Sequence, residues 1–147
     1  MSIPKPGENA PNFEAKDQDE KIRKLSDYQG KKLVLYFYPK ADTPGCTKES
    51  CNLRDHYKAL QNAGYEVLGV SADSPKRQRN FKEKYNFPFP LLADEDKAII
   101  KAYGVWGIKK RTKKEGIRRM TFLIDENGKI EKVIDKVNTN AHAAQIV

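Results

Sequence analysis

One short apolar segment, followed at once by a turn and a helix, constrains this chain most. Residues 33–38 form a continuous run of apolar and aromatic side chains that Pro39 ends. Such a run is typical of a strand buried on both faces. Thr43 then predicts the N-cap of a helix over residues 44–62. A buried strand that leads into a helix is the start of an α/β fold.

The rest of the chain continues this alternation of strands and helices. Turn residues and apolar patterning predict an N-terminal hairpin over 13–25, a strand at 65–71, a helix at 74–85, a strand at 91–92, a helix at 96–103, a hairpin over 120–135 and a last helix from 139. This order predicts an α/β fold with a central mixed β-sheet flanked by helices, and with the last two strands as antiparallel neighbours. The length of 147 residues predicts one domain over 1–147.

The positive charge is concentrated in one segment. The chain has a net charge of +8, and residues 109–119 hold seven Lys or Arg and one Glu. The distribution favours a solvated basic loop over a docking site for an anionic partner. The longest apolar run is too short to cross a bilayer, and the first residues do not resemble a signal peptide. We therefore expect a cytoplasmic protein without a membrane partner.

Cys46 and Cys51 are the only cysteines. Cys46 falls in the first turn of the predicted helix, where free N–H groups and the helix dipole favour an anion such as a thiolate. Cys46 shares a helix face with Leu53, so it should face the protein body, whereas Cys51 shares a face with Asp55 and should lie on the polar side. The pattern favours a reactive thiol with a second thiol nearby.

The spacing of the two cysteines also limits their chemistry. In an ideal helix, Cα atoms five residues apart are roughly 8.6 Å distant, and a disulfide needs less than about 7 Å. The helix must therefore unwind locally before the two sulfurs can bond. Two unrelated cysteines are an open alternative from spacing alone. A zinc site with His56 and His142 is disfavoured by the C-x4-C spacing, and His56 is expected to pack beside Leu53.

The segment around Cys46 is similar to a known active site. Residues 36–47 contain Pro39-x-x-x-Thr43-x-x-Cys46 and resemble the active-site segment of peroxiredoxins. With Cys51 five residues later, the chain resembles the Q-type, or bacterioferritin comigratory protein, subfamily. The resemblance extends over nearly the whole chain, including residues 68–71, 92–94, 103–107 and 119–125. It implies a thioredoxin-like fold and a monomeric, thiol-dependent peroxidase that reduces hydrogen peroxide and organic hydroperoxides without a cofactor or metal.

The resemblance also implies a role for each site residue. Cys46 matches the peroxidatic cysteine, which peroxide oxidises to a sulfenic acid, and Cys51 matches the resolving cysteine, which forms an intramolecular disulfide with it. Thr43 matches the threonine that hydrogen-bonds the peroxide, and Pro39 matches the proline that shields the pocket. Arg119 matches the arginine that stabilises the thiolate. The implied partners are peroxides and a thioredoxin-like dithiol reductant.

Strand alternation predicts that Arg118 points away from Arg119. Without the resemblance, Arg119 would count as one more cation of a basic loop.

Two alternatives of other classes remain at this point. A disulfide reductase of the same fold is disfavoured because the chain has no C-x-x-C motif. Nucleic-acid binding through residues 109–119 is disfavoured because no aromatic side chain interrupts the basic run.

Overall fold

Nine strands and five α-helices make up the part of the chain that the computed structural model describes, residues 3–108 and 115–147. The strands are β1 (Glu14–Lys16), β2 (Ile22–Lys24), β3 (Lys32–Phe37), β4 (Tyr65–Ser71), β5 (Leu91–Ala93), β6 (Trp106–Ile108), β7 (Glu115–Ile117), β8 (Met120–Ile124) and β9 (Ile130–Ile134). The helices are α1 (Pro44–Asp55), α2 (Tyr57–Asn62), α3 (Pro75–Tyr85), α4 (Ala98–Ala102) and α5 (His142–Ile146), and a 3₁₀ helix spans Leu25–Tyr28. None of the helices in the described ranges is long and apolar enough to cross a membrane.

Five of the strands form a mixed central sheet in the order β5-β4-β3-β8-β9. β4 pairs in parallel with β3 and with β5, whereas β8 pairs antiparallel with β3 and with β9. The predicted mixed sheet and the antiparallel last strands are therefore confirmed. β1 and β2 form the predicted N-terminal hairpin, and β6 and β7 form a small antiparallel pair that the sequence does not predict.

Some predicted boundaries are wrong. The helix expected over 44–62 is interrupted at His56, whose φ of −113° leaves the helical region. The His56 ring nitrogen Nδ1 bonds the carbonyl of Asn52 at 2.9 Å, and the side chain is exposed instead of packing beside Leu53. The last helix begins at His142, not at residue 139. Of the basic segment 109–119, residues 109–114 lie outside the described ranges.

β3 divides the core in two because its side chains alternate between the two faces of the sheet. Leu33, Leu35 and Phe37 join an apolar cluster that contains the α4 side chains Ile99 and Ile100. The intervening side chains Val34 and Tyr36 join a second cluster, which also contains Cys46 and Leu53 of α1 together with side chains of α2 and α3. Both faces of the strand are buried, as the unbroken apolar run predicts.

Gly69 in β4 leaves space for the ring of Tyr36, the side chain that links the sheet to α1. A Cβ atom at this position would lie 2.8 Å from both Leu91 Cδ2 and the ring of Tyr36. The Tyr36 hydroxyl is hydrogen-bonded to Ser50 of α1 at 2.9 Å. Tyr36 and Ser50 are fully buried, so neither has free space to move into. A larger residue at 69 would therefore disturb the seat of α1 as well as the sheet.

We expect Gly69→Ala to lower the free energy of unfolding by about 1–3 kcal/mol, because the added methyl group overpacks this contact. Gly107→Ala is the matched control. Gly107 also lies in a strand, but a Cβ there meets nothing within 4 Å, so its effect should stay within about 0.5 kcal/mol. Urea denaturation of both variants measures the difference. Equal stability of the two variants would contradict a tight contact at Gly69.

Candidate active site

Cys46 lies in the first turn of α1, with none of its surface exposed. Pro44 is the first helical residue and Thr43 is the N-cap, as predicted. The Thr43 side chain does not cap the helix; its hydroxyl donates to the carbonyl of Lys40 at 2.8 Å. The first N–H groups of α1 are thus not capped by Thr43, and the positive end of the helix dipole lies at the sulfur.

Arg119 provides the second source of positive charge at the sulfur. Its Nη2 donates to Cys46 Sγ at 3.3 Å, and its Nη1 donates to Glu49 Oε1 at 2.8 Å. Gly45 allows this approach, because a Cβ atom there would lie 3.0 Å from Arg119 Nη2. Arg118 points elsewhere and binds Asp135 at 3.1 Å, as the predicted alternation requires. One guanidinium therefore bridges the sulfur and a carboxylate.

The charges around this bridge are largely buried. Glu49 has no exposed surface, and burial raises the pKa of its carboxyl from 4.5 to about 7, although Arg119 acts in the opposite direction. For Arg119, burial lowers the pKa, but Cys46 and Glu49 raise it more. The guanidinium therefore stays positive, and the protonation of Glu49 decides whether a second anion shares that charge with the sulfur.

Hydrogen bonds to two neighbouring segments hold the loop from Pro39 to Thr43, which precedes α1. The Ala41 N–H donates to Asp73 Oδ2 at 2.8 Å. Asp42 has a φ of +58°, and its carboxylate accepts from Lys84 and from the Tyr85 hydroxyl, each at 2.9 Å. These contacts with α3 and with the segment after β4 hold a conformation that a non-glycine residue rarely adopts. The loop that precedes Cys46 is therefore preorganised.

Cys51 lies on the same uninterrupted helix as Cys46, and both are free thiols. It is half-buried and packs at the edge of the core, where Ala41, Tyr57 and Tyr85 also lie. This corrects the prediction that Cys51 lies on the polar side of the helix. Burial raises the pKa of the Cys51 thiol, while Arg54 opposes the change. Cys51 is therefore less readily ionised than a free cysteine.

The structure brings together Cys46 and Arg119, which the resemblance to peroxiredoxins selects from distant positions. It also adds Glu49, which sequence reasoning missed although its place three residues after Cys46 puts it on the same helix face. His142, considered only for zinc, lies 3.5 Å from Glu49 Oε2 instead. No group of three or more potential metal ligands occurs within residues 3–108 and 115–147.

Comparison with known proteins identifies the family. The AhpC/TSA family matches residues 6–133. The chain is 49% identical over 143 residues to a putative peroxiredoxin Bcp of Coxiella burnetii, covering 96% of this chain and 95% of that protein. It is 47% identical to peroxiredoxin Bcp of Escherichia coli, with 97% and 92% covered. The chain belongs to the peroxiredoxins. Relatives at 45–49% identity are named peroxiredoxin Bcp, and because peroxiredoxins are thiol peroxidases, so is this protein.

Solved structures agree with this family and with its fold. A crystal structure of a cysteine-to-serine variant of PrxQ from Xylella fastidiosa superposes with a TM-score of 0.93 at 33% identity, covering 99% of this chain and 94% of that one. The peroxiredoxin BcpB of Mycobacterium tuberculosis has a TM-score of 0.87 at 34% identity, with 97% and 93% covered. This peroxiredoxin therefore has the thioredoxin-like fold that the resemblance implied.

Glu49 should make the stability of this peroxiredoxin depend on pH. The folded state binds the Glu49 proton more tightly than the unfolded state, so the free energy of unfolding should fall as pH rises from 4.5 to 7 and then level off. Glu49→Gln should remove this contribution, whereas Glu83→Gln, at an exposed position in α3, should keep it. Denaturant titrations across this pH range test the difference. A slope that persists unchanged in Glu49→Gln would show that another group is responsible.

Proposed function

We propose that this chain reduces hydrogen peroxide and organic hydroperoxides with Cys46 as the attacking thiolate. The observation that supports this most directly is the 3.3 Å contact from Arg119 to the sulfur, at the start of a helix that also favours an anion. Alkyl peroxide reduction is attributed to the bacterioferritin comigratory protein of Xanthomonas campestris, whose structure is 35% identical to this chain and covers 91% of it with a TM-score of 0.85. We extend that activity to this protein.

In the first step, the Cys46 thiolate attacks one peroxide oxygen. An S–O bond forms, the O–O bond breaks, and the leaving oxygen takes up a proton to give water or an alcohol, so the cysteine becomes a sulfenic acid. Arg119 stabilises the charge that develops on the leaving oxygen as well as the thiolate. We assign Thr43 to hydrogen-bond the bound peroxide, since its oxygen can accept from a peroxide O–H while its hydroxyl donates to Lys40. We assign half-buried Pro39 to shield the pocket from water.

In the second step, the Cys51 sulfur attacks the sulfenic sulfur, forming a disulfide and releasing water. Because both residues lie on one continuous helix, α1 must first unwind between them. Glu49 and Ser50 lie in this stretch, so unwinding breaks their bonds to Arg119 and Tyr36. A dithiol reductant of the thioredoxin type then reduces the disulfide by thiol exchange. We propose that a single chain carries out the cycle in the reducing cytoplasm.

The two cysteines should fail in different ways when they are replaced. Cys46→Ser should abolish peroxide consumption, since it removes the attacking sulfur. Cys51→Ser should consume one peroxide per chain and then stop with thioredoxin as the reductant, because no disulfide forms. Peroxide consumption, followed with and without thioredoxin and its reductase, measures both. Retained turnover in Cys46→Ser would refute the proposed function, and full turnover in Cys51→Ser would remove Cys51 from it.

The neighbouring arginines provide a matched pair for testing the role of the guanidinium. Arg119→Met should slow the oxidation of Cys46 by roughly 10²–10³-fold, the usual effect of losing one donor that stabilises developing charge. Arg118→Met removes the same charge one residue away, from an exposed contact with Asp135, and should change the rate little. Stopped-flow oxidation with hydrogen peroxide compares them. Similar rates for both variants would mean that the contact between Arg119 and the sulfur has no specific role in the oxidation of Cys46.

A further inference from the structure

His142 is a buried, titratable group that the proposed chemistry does not use. It begins α5 and has no exposed surface. Its Nε2 lies 2.7 Å from Thr121 Oγ1 and 3.5 Å from Glu49 Oε2, and its Nδ1 lies 2.8 Å from Gln145 Oε1. The ring therefore lies next to the carboxyl group that binds Arg119. The ring nitrogen that holds the proton decides whether the neutral ring can donate a hydrogen bond to Glu49.

The contacts of Gln145 fix the tautomer of His142. Gln145 Nε2 donates to the Lys136 carbonyl at 2.8 Å, and Gln145 Oε1 accepts from the Asn138 N–H at 2.9 Å, so the orientation of the amide is determined. Since Oε1 is an acceptor, His142 Nδ1 must carry the hydrogen. In the neutral ring Nε2 is then a bare acceptor, and the Thr121 hydroxyl donates to it. The neutral ring has no N–H to offer Glu49.

This tautomer leaves the Glu49 carboxyl without a hydrogen bond from the ring. Its Oε1 accepts from Arg119, but no side chain of the described residues donates to its buried Oε2. Burial lowers the pKa of His142, with Gln145 opposing the change, so the ring stays neutral near pH 7. Arg119, which is bonded to both Glu49 and Cys46, is the charged group that acts on both Glu49 and His142, and Lys132 reaches α5 from β9 through the Gln145 carbonyl. One oxygen of the Glu49 carboxylate therefore lacks a donor, which favours the protonated carboxyl.

We propose that His142 is a positioning residue that acts through Glu49 to set how strongly Arg119 holds the Cys46 thiolate. The inference rests on the roles proposed above for Cys46 and Arg119. When Glu49 is ionised, it shares the guanidinium charge with the sulfur; when it is protonated, that charge is opposed by the thiolate alone. The neutral ring keeps Glu49 protonated up to neutral pH, because it withholds a hydrogen bond from the carboxylate.

His142→Gln tests this proposal, because glutamine does not titrate but offers an N–H to Glu49 Oε2. The variants are compared in a Cys51→Ser background, with the ultraviolet absorbance of the thiolate and the rate of oxidation by hydrogen peroxide measured against pH. His142→Gln should shift the thiolate absorbance of Cys46 to higher pH and, on the rising part of that profile, slow oxidation about three- to tenfold. His56→Gln, at an exposed histidine, should change neither quantity.

A double-mutant cycle separates positioning from simple structural support. If His142 acts only through Glu49, then His142→Gln should have no further effect on the thiolate or on the rate in a Glu49→Gln protein. Equal losses in both backgrounds would overturn the proposal, because they would mean that the ring merely supports the fold. An unchanged thiolate titration in the folded His142→Gln protein would also overturn it.

Nitrogen NMR of the unmodified protein provides a readout that needs neither peroxide nor a histidine variant. The chain has two histidines, so the ring signals are few, and exposed His56 serves as the internal reference. Neutral His142 should show a protonated Nδ1 and a bare Nε2, and its signals should shift as Glu49 ionises at about pH 7. That shift should vanish in Glu49→Gln. A protonated Nε2 in the neutral ring, or no shift, would refute the coupling. If peroxide failed to oxidise Cys46 but these signals persisted, only the proposed function would fail.

Discussion

The register between β3 and β8 is the constraint on which the site depends. Phe37 pairs with Met120 at the end of β3, and this places Arg119 beside the loop from which α1 starts. Side chains alternate along a strand, so a slip of one residue would exchange Arg119 for Arg118 at the sulfur. The buried Thr121, two residues further on, faces the same side and meets His142. The central pairing of the sheet thus aligns the guanidinium and its supports with Cys46.

The two proposed steps of the cycle require different states of α1. In the proposed cycle, attack on peroxide uses an intact first turn of α1 with Arg119 in place, whereas a disulfide between Cys46 and Cys51 requires that helix to open. Two of the four residues between the cysteines are held in place, since Glu49 and Ser50 are fully buried and bonded to Arg119 and Tyr36. Asn52, one residue beyond Cys51, also accepts from the Ala143 N–H of α5 at 2.8 Å. The contacts that build the reactive state are therefore those that resolution must break.

The sequence predicts local elements well and distant contacts poorly. Apolar runs and turn residues indicate the sheet strands, and the motif around Cys46 selects Arg119 by resemblance. The break at His56 has no local signal, because no glycine or proline occurs there. Register, which depends on how whole strands pack, is also not readable from one sequence. His142 could not be assigned to the site, since its contact with Glu49 arises only when α5 folds onto α1.

The most direct test of the proposed cycle is to mix the reduced protein with one equivalent of hydrogen peroxide and to follow its free thiols and intact mass. We expect the loss of both thiols and of two hydrogens within a single chain, with neither loss in Cys46→Ser. Thiols that stay reduced would contradict the assignment of Cys46 as the peroxide-reactive residue. A disulfide between two chains would contradict the unwinding of α1 as the route to resolution.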